Sequence, residues 1–326
     1  MTRKVSERVG GTTVQLSHTD KPFFPDDGIS KGDLIEYYRE IAPAMLPYLR
    51  DRPLVMGRYP DGVTGEGIVQ KNVPGYFPDW VRRADVPKKG GTVCHVVCDK
   101  AATLVYLANQ ACVELHVFLS ALAALENPDQ IVFDLDPPDA SHFAEACRTA
   151  LDLRALLEDE LGLSAYVKTT GGKGLHVHVP LRADDDFGSV RDFARDAACL
   201  LADRSPEELT VEQRKDQRGR RLYLDVMRNA YAQTVVAPYA VRPRPGAPVA
   251  APLAWEEVER GGLRAGQFTV GTIRERLDRS GDPWEGMTRH RKVLSGPRRR
   301  LGALGDLSFS CSFSCLIPRL HQQPPP

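Results

Sequence analysis

The chain has 326 residues, 42% of them hydrophobic and 26% charged, which is enough apolar material for one large domain or two smaller ones. Lys plus Arg equals Asp plus Glu, 43 each, so any nucleic-acid binding must rest on clustered charge and not on a basic excess. No apolar run reaches the roughly 18–20 residues of a membrane span, and Met1–Gly11 is too polar for a secretory signal, so a cytoplasmic protein without a membrane partner is expected.

Residues 1–15 read as a loose lead-in, 16–290 as the main domain and 291–326 as a disordered tail, basic over 289–300 and ending in prolines. Ser30 is a candidate N-cap with Asp33 three residues on. Leu34, Ile35, Tyr38, Ile41 and Ala42 then follow helical spacing until Pro43 and Pro47, which are expected to break the helix. Strands are predicted at Pro53–Tyr59, Ile68-Val69 and Val93–Val97, and a helix over the Ala/Leu-rich residues 101–125. Ile131–Asp136 is a strand stopped by Pro137-Pro138, and 142–161 a helix closed by Gly162. Ala165–Thr169 and Leu175–Val179 are short strands around a glycine turn, 189–204 a helix, and Leu222–Met227 a strand. Residues 238–253, with five prolines, read as extended, before helices at Trp255–Arg260 and Val270–Arg279. Strands mixed with helices and hairpin signals predict an α+β or α/β fold. The seven cysteines are odd in number and scattered. The pairs Cys94/Cys98 and Cys311/Cys315 are spaced wider than usual zinc ligands and read as ordinary thiols.

Chemistry concentrates in three segments. In Ile131-Val132-Phe133-Asp134-Leu135-Asp136-Pro137 the period of two puts Asp134 and Asp136 on one strand face, with Ile131, Phe133 and Leu135 on the other. Two carboxylates this close repel unless a cation sits between them, and hard oxygen donors suit Mg²⁺ or Mn²⁺. Leu222-Tyr223-Leu224-Asp225-Val226-Met227-Arg228-Asn229 adds a third acid, Asp225, which would let two metal ions be shared. Lys168-Thr169-Thr170-Gly171-Gly172-Lys173-Gly174-Leu175-His176-Val177-His178 is a glycine turn that reads either as a phosphate cradle or as an ordinary hairpin. It is no P-loop, since a strand follows it.

These segments, in this order, resemble the polymerase domain of bacterial ligase D, of the archaeo-eukaryotic primase superfamily, over residues 12–287. Thr19-Asp20-Lys21, Glu66-Gly67 with Gln70-Lys71-Asn72, Glu114-Leu115-His116, and Val236–Tyr239 running into Val241–Pro248 carry the same resemblance. It implies an α+β primase-polymerase fold with a central mixed or antiparallel sheet flanked by helices. It implies two divalent ions, Mn²⁺ favoured over Mg²⁺, on Asp134, Asp136 and Asp225. His116, Thr170, Lys173, His176 and Arg244 would bind the nucleotide, Lys21 and Lys31 the 5′-phosphate of a recessed DNA end, and Arg228 and Arg242 further phosphates. The implied activity is nucleotide addition, ribonucleotides preferred, at gaps and double-strand breaks in non-homologous end joining on the nucleoid. The implied partners are gapped or broken DNA, NTP or dNTP, a Ku-type end-binding protein and a separate DNA ligase, because no Lys-x-Asp-Gly ligase motif occurs and a stand-alone polymerase is expected. His18 stands where the family often has Asn, Ile68 and Val69 where aromatic residues often stack on template, and Ala230–Gln233 in a stretch usually more basic. A phosphohydrolase, a primase working de novo and a DNA-end bridging module with little catalysis are the rival readings.

Overall fold

The structure, a computed structural model, describes residues 4–305. The chain opens not with a loose segment but with a hairpin, β1 (Lys4–Val9) and β2 (Thr12–Ser17), turned at Gly10-Gly11. Alternation in β2 buries Val14 and Leu16, so the lead-in is part of the core. A second small hairpin pairs β3 (Pro22–Phe24) with β4 (Ile29–Ser30) and leads into helix α1 (Lys31–Leu49). Ser30 caps α1 with a reciprocal Ser30–Asp33 box, as its spacing predicts. The helix runs on through Pro43 and Pro47. Each removes one intrahelical N–H, but Leu34, Ile35, Tyr38, Ile41, Met45 and Leu49 are buried along the same stripe, and that packing offsets the loss.

The strands β5 (Pro53–Arg58), β6 (Ile68–Gln70), β7 (Arg83–Lys88) and β8 (Gly91–Val97) precede helix α2 (Ala101–Asn109). The predicted helix 101–125 is only half realised. It stops at α2, Ala111 turns the chain at φ 63°, and Cys112–Phe118 forms β9. Pairing decides this: β9 lies inside a six-stranded sheet, ordered β15-β9-β5-β8-β7 with β6 on the far end of β5, and β15 is Thr234–Val236.

A second six-stranded sheet carries β10 (Gln130–Asp136) at its centre. Helix α3 (Phe143–Ala155) follows it, then β11 (Tyr166–Thr169), β12 (Leu175–Pro180), helix α4 (Phe187–Arg204), β13 (Leu209–Thr210), β14 (Leu222–Asp225) and, later, β16 (Pro252–Leu253). The order is β13-β14-β10-β12-β11-β16, antiparallel except for β13 with β14. Ile131, Phe133, Leu135, Val177 and Leu224 are buried in the main core, and α3 and α4 pack on β10. The α+β class holds, with the strands divided between two sheets.

The proline-rich stretch does not run straight: Val241 bridges back to Val249 around Gly246 and Ala247 before β16. Helices α5 (Trp255–Arg260) and α6 (Ile273–Ser280) follow. Residues expected in a disordered tail form helix α7 (Ser295–Gly305). Leu294 and Leu301 are buried, Arg298 pairs with Asp185 at 2.8 Å, and Arg300 Nε donates to Leu161 O at 3.0 Å. Cys311, Cys315 and the rest of that tail lie outside the described residues. Among the described residues no helix is long and apolar enough to cross a membrane.

Candidate active site

Strand register assembles the three acids. Asp134 on β10 lies opposite Asp225 on β14 and His176 on β12; His176 in turn lies opposite Lys168 on β11. Directly paired residues share a face, so Asp225, Asp134, His176 and Lys168 form one row across the sheet, with Asp136 two residues along on the same face. Burial raises the carboxyl pKa of Asp134. It also raises that of Asp225, where the Asp134 charge adds to it. Asp225 Oδ1 accepts from the Met227 amide at 2.7 Å. Lys173 Nζ stands 3.0 Å from Asp136 Oδ1, and Arg218 lies 3.7 Å from its other oxygen while stacking on Tyr223.

Among the described residues no three carboxylate, imidazole or thiol groups converge at metal-ligand spacing, with Asp136 turned to Lys173 and Arg218 and Asp225 to the Met227 amide. The donor set nevertheless fits a hard divalent cation. It is all carboxylate, its members repel one another, and Asp136 already holds an ammonium as countercharge. Cys98, by contrast, is a buried thiol whose pKa burial pushes up, as expected of an ordinary core cysteine.

The glycine turn closes on β10. A Cβ at Gly174 would lie 2.2 Å from Leu135 O, and Gly171, at φ +67°, would put one 2.6 Å from Arg242 Cγ, so neither position admits a side chain as built. Thr170 Oγ1 accepts from the Gly172 amide at 3.1 Å and donates to Gly174 O at 3.0 Å. Its hydroxyl therefore braces the turn before it can meet any ligand. Lys173 projects to Asp136 and donates to Pro137 O at 2.6 Å.

A cleft of about 390 Å³ opens between the two sheets. Asp134, Asp136, Lys173 and His176 line it together with Thr170 and the glycine turn, against which Arg242 and Arg244 pack, Arg242 Nη1 donating to Thr170 O at 2.9 Å; His116 lines it from the other sheet, and Arg228 is also at the cleft. His116 lies on β9 and not on the expected helix, opposite Val55 and two residues from Glu114 on the same face. The cleft thus gathers every predicted metal and nucleotide residue except Asp225, which lies one strand further out in the same row. It does not gather Lys21 and Lys31, which stand apart at the two ends of the β3–β4 hairpin, Lys21 just before β3 and Lys31 opening α1. Lys21 Nζ pairs with Asp61 at 3.0 Å. Lys31 is buried, not the solvated surface lysine its sequence suggests without the family, and donates to Ser17 O at 2.6 Å. Burial, with the neighbouring Lys21 charge, lowers its pKa to about 8.

Several residues missed as site candidates belong here. Glu114 is buried. Its Oε1 lies 2.6 Å from His116 Nε2 and 2.9 Å from Arg242 Nε, the latter close enough for an ion pair but at an angle that leaves that N–H without a hydrogen bond. Burial pushes the Glu114 pKa up, but the His116 hydrogen bond and the Arg242 charge outweigh it and hold the group ionised. Lys168 is wholly buried with no partner for its ammonium, and burial drives its pKa well below the usual lysine range. His176 is driven well down by burial too, and its Nδ1 has no partner. Lys71, Tyr59 and the exposed Ile68 and Val69 complete the lining. Glu114, Lys71 and Lys168 were legible as members of the motifs; only pairing showed where they point.

Carboxylates and the cations Lys173, Arg228, Arg242 and Arg244 thus meet in one cleft. Residues 30–284 match the family described as LigD, primase-polymerase domain. The chain belongs to that family, one of metal-dependent nucleotidyltransferases. It is 34% identical over 272 residues to the bifunctional non-homologous end joining protein LigD of Bacillus subtilis, covering 83% of this chain and 43% of that protein. Against the multifunctional LigD of Mycolicibacterium smegmatis it is 34% identical, covering 82% of this chain and 35% of the other. The chain therefore spans less than half the length of these relatives. The polymerase domain of Mycobacterium tuberculosis ligase D, solved in complex with DNA, superposes with a TM-score of 0.79 at 31% identity, covering 85% of this chain and 99% of that one.

Proposed function

We propose that this chain is a DNA-repair polymerase that adds nucleotides, ribonucleotides by preference, to 3′ ends at gaps and double-strand breaks in end joining. The observation that carries the reading is the row Asp225–Asp134–His176, set by strand register beneath the cations of the inter-sheet cleft.

Asp134, Asp136 and Asp225 would hold two divalent ions, Mn²⁺ or Mg²⁺. When bound, such ions supply activation of the primer 3′-hydroxyl and neutralisation of charge on the pyrophosphate. Lys173 and Arg218 are the countercharges of Asp136; with a divalent ion held on that carboxylate, Lys173 would be available to the triphosphate. Arg228, Arg242 and Arg244 meet further phosphate oxygens, His116 and His176 orient the nucleotide, and Thr170 keeps the turn in shape. The buried His176, neutral by desolvation, offers hydrogen bonds without adding a fixed charge. Lys21 and Lys31 sit side by side at the base of the hairpin, where they receive a recessed 5′-phosphate. The DNA-bound relative, the end-joining names of the LigD relatives and the family match support DNA as substrate in end joining; a Ku-type end-binding protein and a separate DNA ligase are the partners proposed with it.

The test is primer extension on a gapped duplex bearing a 5′-phosphate, with Mn²⁺ or Mg²⁺ and NTP or dNTP. Templated addition that Asp134→Ala or Asp136→Ala abolishes, with DNA binding retained, is the expected result. Normal extension by either variant overturns the metal assignment. Binding without any addition makes the chain a bridging module instead.

A further inference from the structure

The two lysines assigned to the 5′-phosphate are held in different ways. Lys31 is buried, and its ammonium donates to a backbone carbonyl, Ser17 O, at 2.6 Å. Lys21 is partly exposed. Its ammonium donates to Pro60 O at 2.6 Å and pairs with Asp61 Oδ1 at 3.0 Å. The Asp61 side chain is 85% exposed, and among the described residues its carboxylate has no other hydrogen bond or ion pair.

Most exposed ion pairs form and break by side-chain rotation and contribute little to stability. Here the backbone sets the pair. Pro60 and Asp61 are the middle of a turn closed by the Gly62 amide, which donates to Tyr59 O at 3.0 Å. The chain is docked on either side of it. Tyr59 N–H donates to Ala111 O at 2.8 Å, and Val63 N–H donates to Phe23 O at 2.9 Å. Gly62 takes φ +82°, and a Cβ there would lie 3.0 Å from Pro22 O, so the turn lies against the backbone that directly follows Lys21. The Asp61 carboxylate is thus presented at the Lys21 ammonium, yet stays open to water. A single exposed carboxylate holds an ammonium weakly. A terminal phosphate near neutral pH carries about −1.5 to −2 charges and three acceptor oxygens, and takes the ammonium from it. A 5′-hydroxyl has no charge and does not. An ammonium has three donors, so Lys21 can keep Pro60 O while it exchanges Asp61 for phosphate. The same phosphate must later be given up, because sealing a break joins a 3′-hydroxyl to it.

We propose that Asp61 is an internal competitor for the 5′-phosphate, a role that rests on the assignment of Lys21 to that phosphate. Its carboxylate occupies Lys21 in the free chain, gives way to a phosphorylated end and, on returning, releases that end for sealing.

Stopped-flow dissociation of the full chain from a gapped duplex, with and without the 5′-phosphate, tests this. Asp61→Asn keeps the shape and removes the charge. Dissociation from the phosphorylated duplex should slow about threefold or more, and dissociation from the unphosphorylated duplex should change by less than about twofold. Asp61→Glu, which restores the charge, should bring back fast release. In a Lys21→Ala background, Asp61→Asn should have no effect. Unchanged release of the phosphorylated duplex by Asp61→Asn makes the pair an idle surface contact, and faster release makes Asp61 a brace for Lys21. Equal slowing on both duplexes makes it a general repulsion of DNA. Each of these overturns the proposal while the lysine assignment stands, provided Lys21→Ala alone lowers the preference for a 5′-phosphate. If Lys21→Ala leaves that preference intact, the lysine assignment fails and the proposal falls with it.

Discussion

Glu114 meets two cleft side chains at once, His116 Nε2 at 2.6 Å and Arg242 Nε at 2.9 Å, from a nearly closed position on β9. It lines the cleft itself and holds both side chains there. Replacing it with Gln keeps the shape and removes the charge. The expected outcome is a KM for nucleotide raised about tenfold with kcat changed little, since one charged hydrogen bond is worth about 1.5–3 kcal/mol. Steady-state kinetics with separate KM and kcat check this, and an equal fall in kcat would place Glu114 in the transition state instead. Lys31 gives a pH prediction. Burial and Lys21 lower its pKa to about 8, so the ammonium is present below that pH and is lost as pH rises through it. Lys21 and, through it, Asp61 are the charged neighbours. Preference for a 5′-phosphorylated gap over an unphosphorylated one should therefore be larger at pH 7 than at pH 9. Lys31→Arg, which cannot deprotonate in that range, should flatten the profile.

The segments that carry chemistry are short strands whose alternation was legible. Asp134 and Asp136 read as one face because a period of two needs no partner to be seen, whereas Asp225, on another strand, joins them only through the β10–β14 register. Their alignment with His176 and Lys168 was not legible, because register is set by which strands pair and the sequence does not display pairing. The same holds for β9, whose residues follow an Ala/Leu-rich helix without a break in composition; only its neighbours β5 and β15 make it a strand. The turn before β12 yields a stability prediction. Gly174→Ala forces a Cβ into Leu135 O and must pry β12 from β10. Destabilisation of about 1–3 kcal/mol is expected, visible as a lowered Tm, together with weakened extension as His176 shifts. An unchanged Tm would mean the turn gives way freely.

Across the whole molecule, α7 closes the chain against the second sheet's helices. Leu294 and Leu301 are buried, Arg298 and Arg300 reach Asp185 and Leu161, and Arg291 pairs with the buried Asp129. Truncation after residue 290 removes Leu294 and Leu301 and should cost about 2 kcal/mol for the burial lost with each, and Tm should fall accordingly. Truncation after residue 305 should leave Tm unchanged. Equal melting of both truncated forms and the full chain would show that α7 contributes nothing to the fold. The sequence by itself determined the chemical inventory: three carboxylates on strand faces, a glycine turn, the cations of the phosphate motifs and, through their order, the family. Those are local properties, written in spacing and residue type. Tertiary structure alone decided what faces what. The cleft between the sheets, the burial that lowers the pKa of Lys31, Lys168 and His176, and the Glu114 clamp all join residues that pair or pack far apart in sequence, and hydrophobic patterning specifies that a face is buried without specifying against which partner.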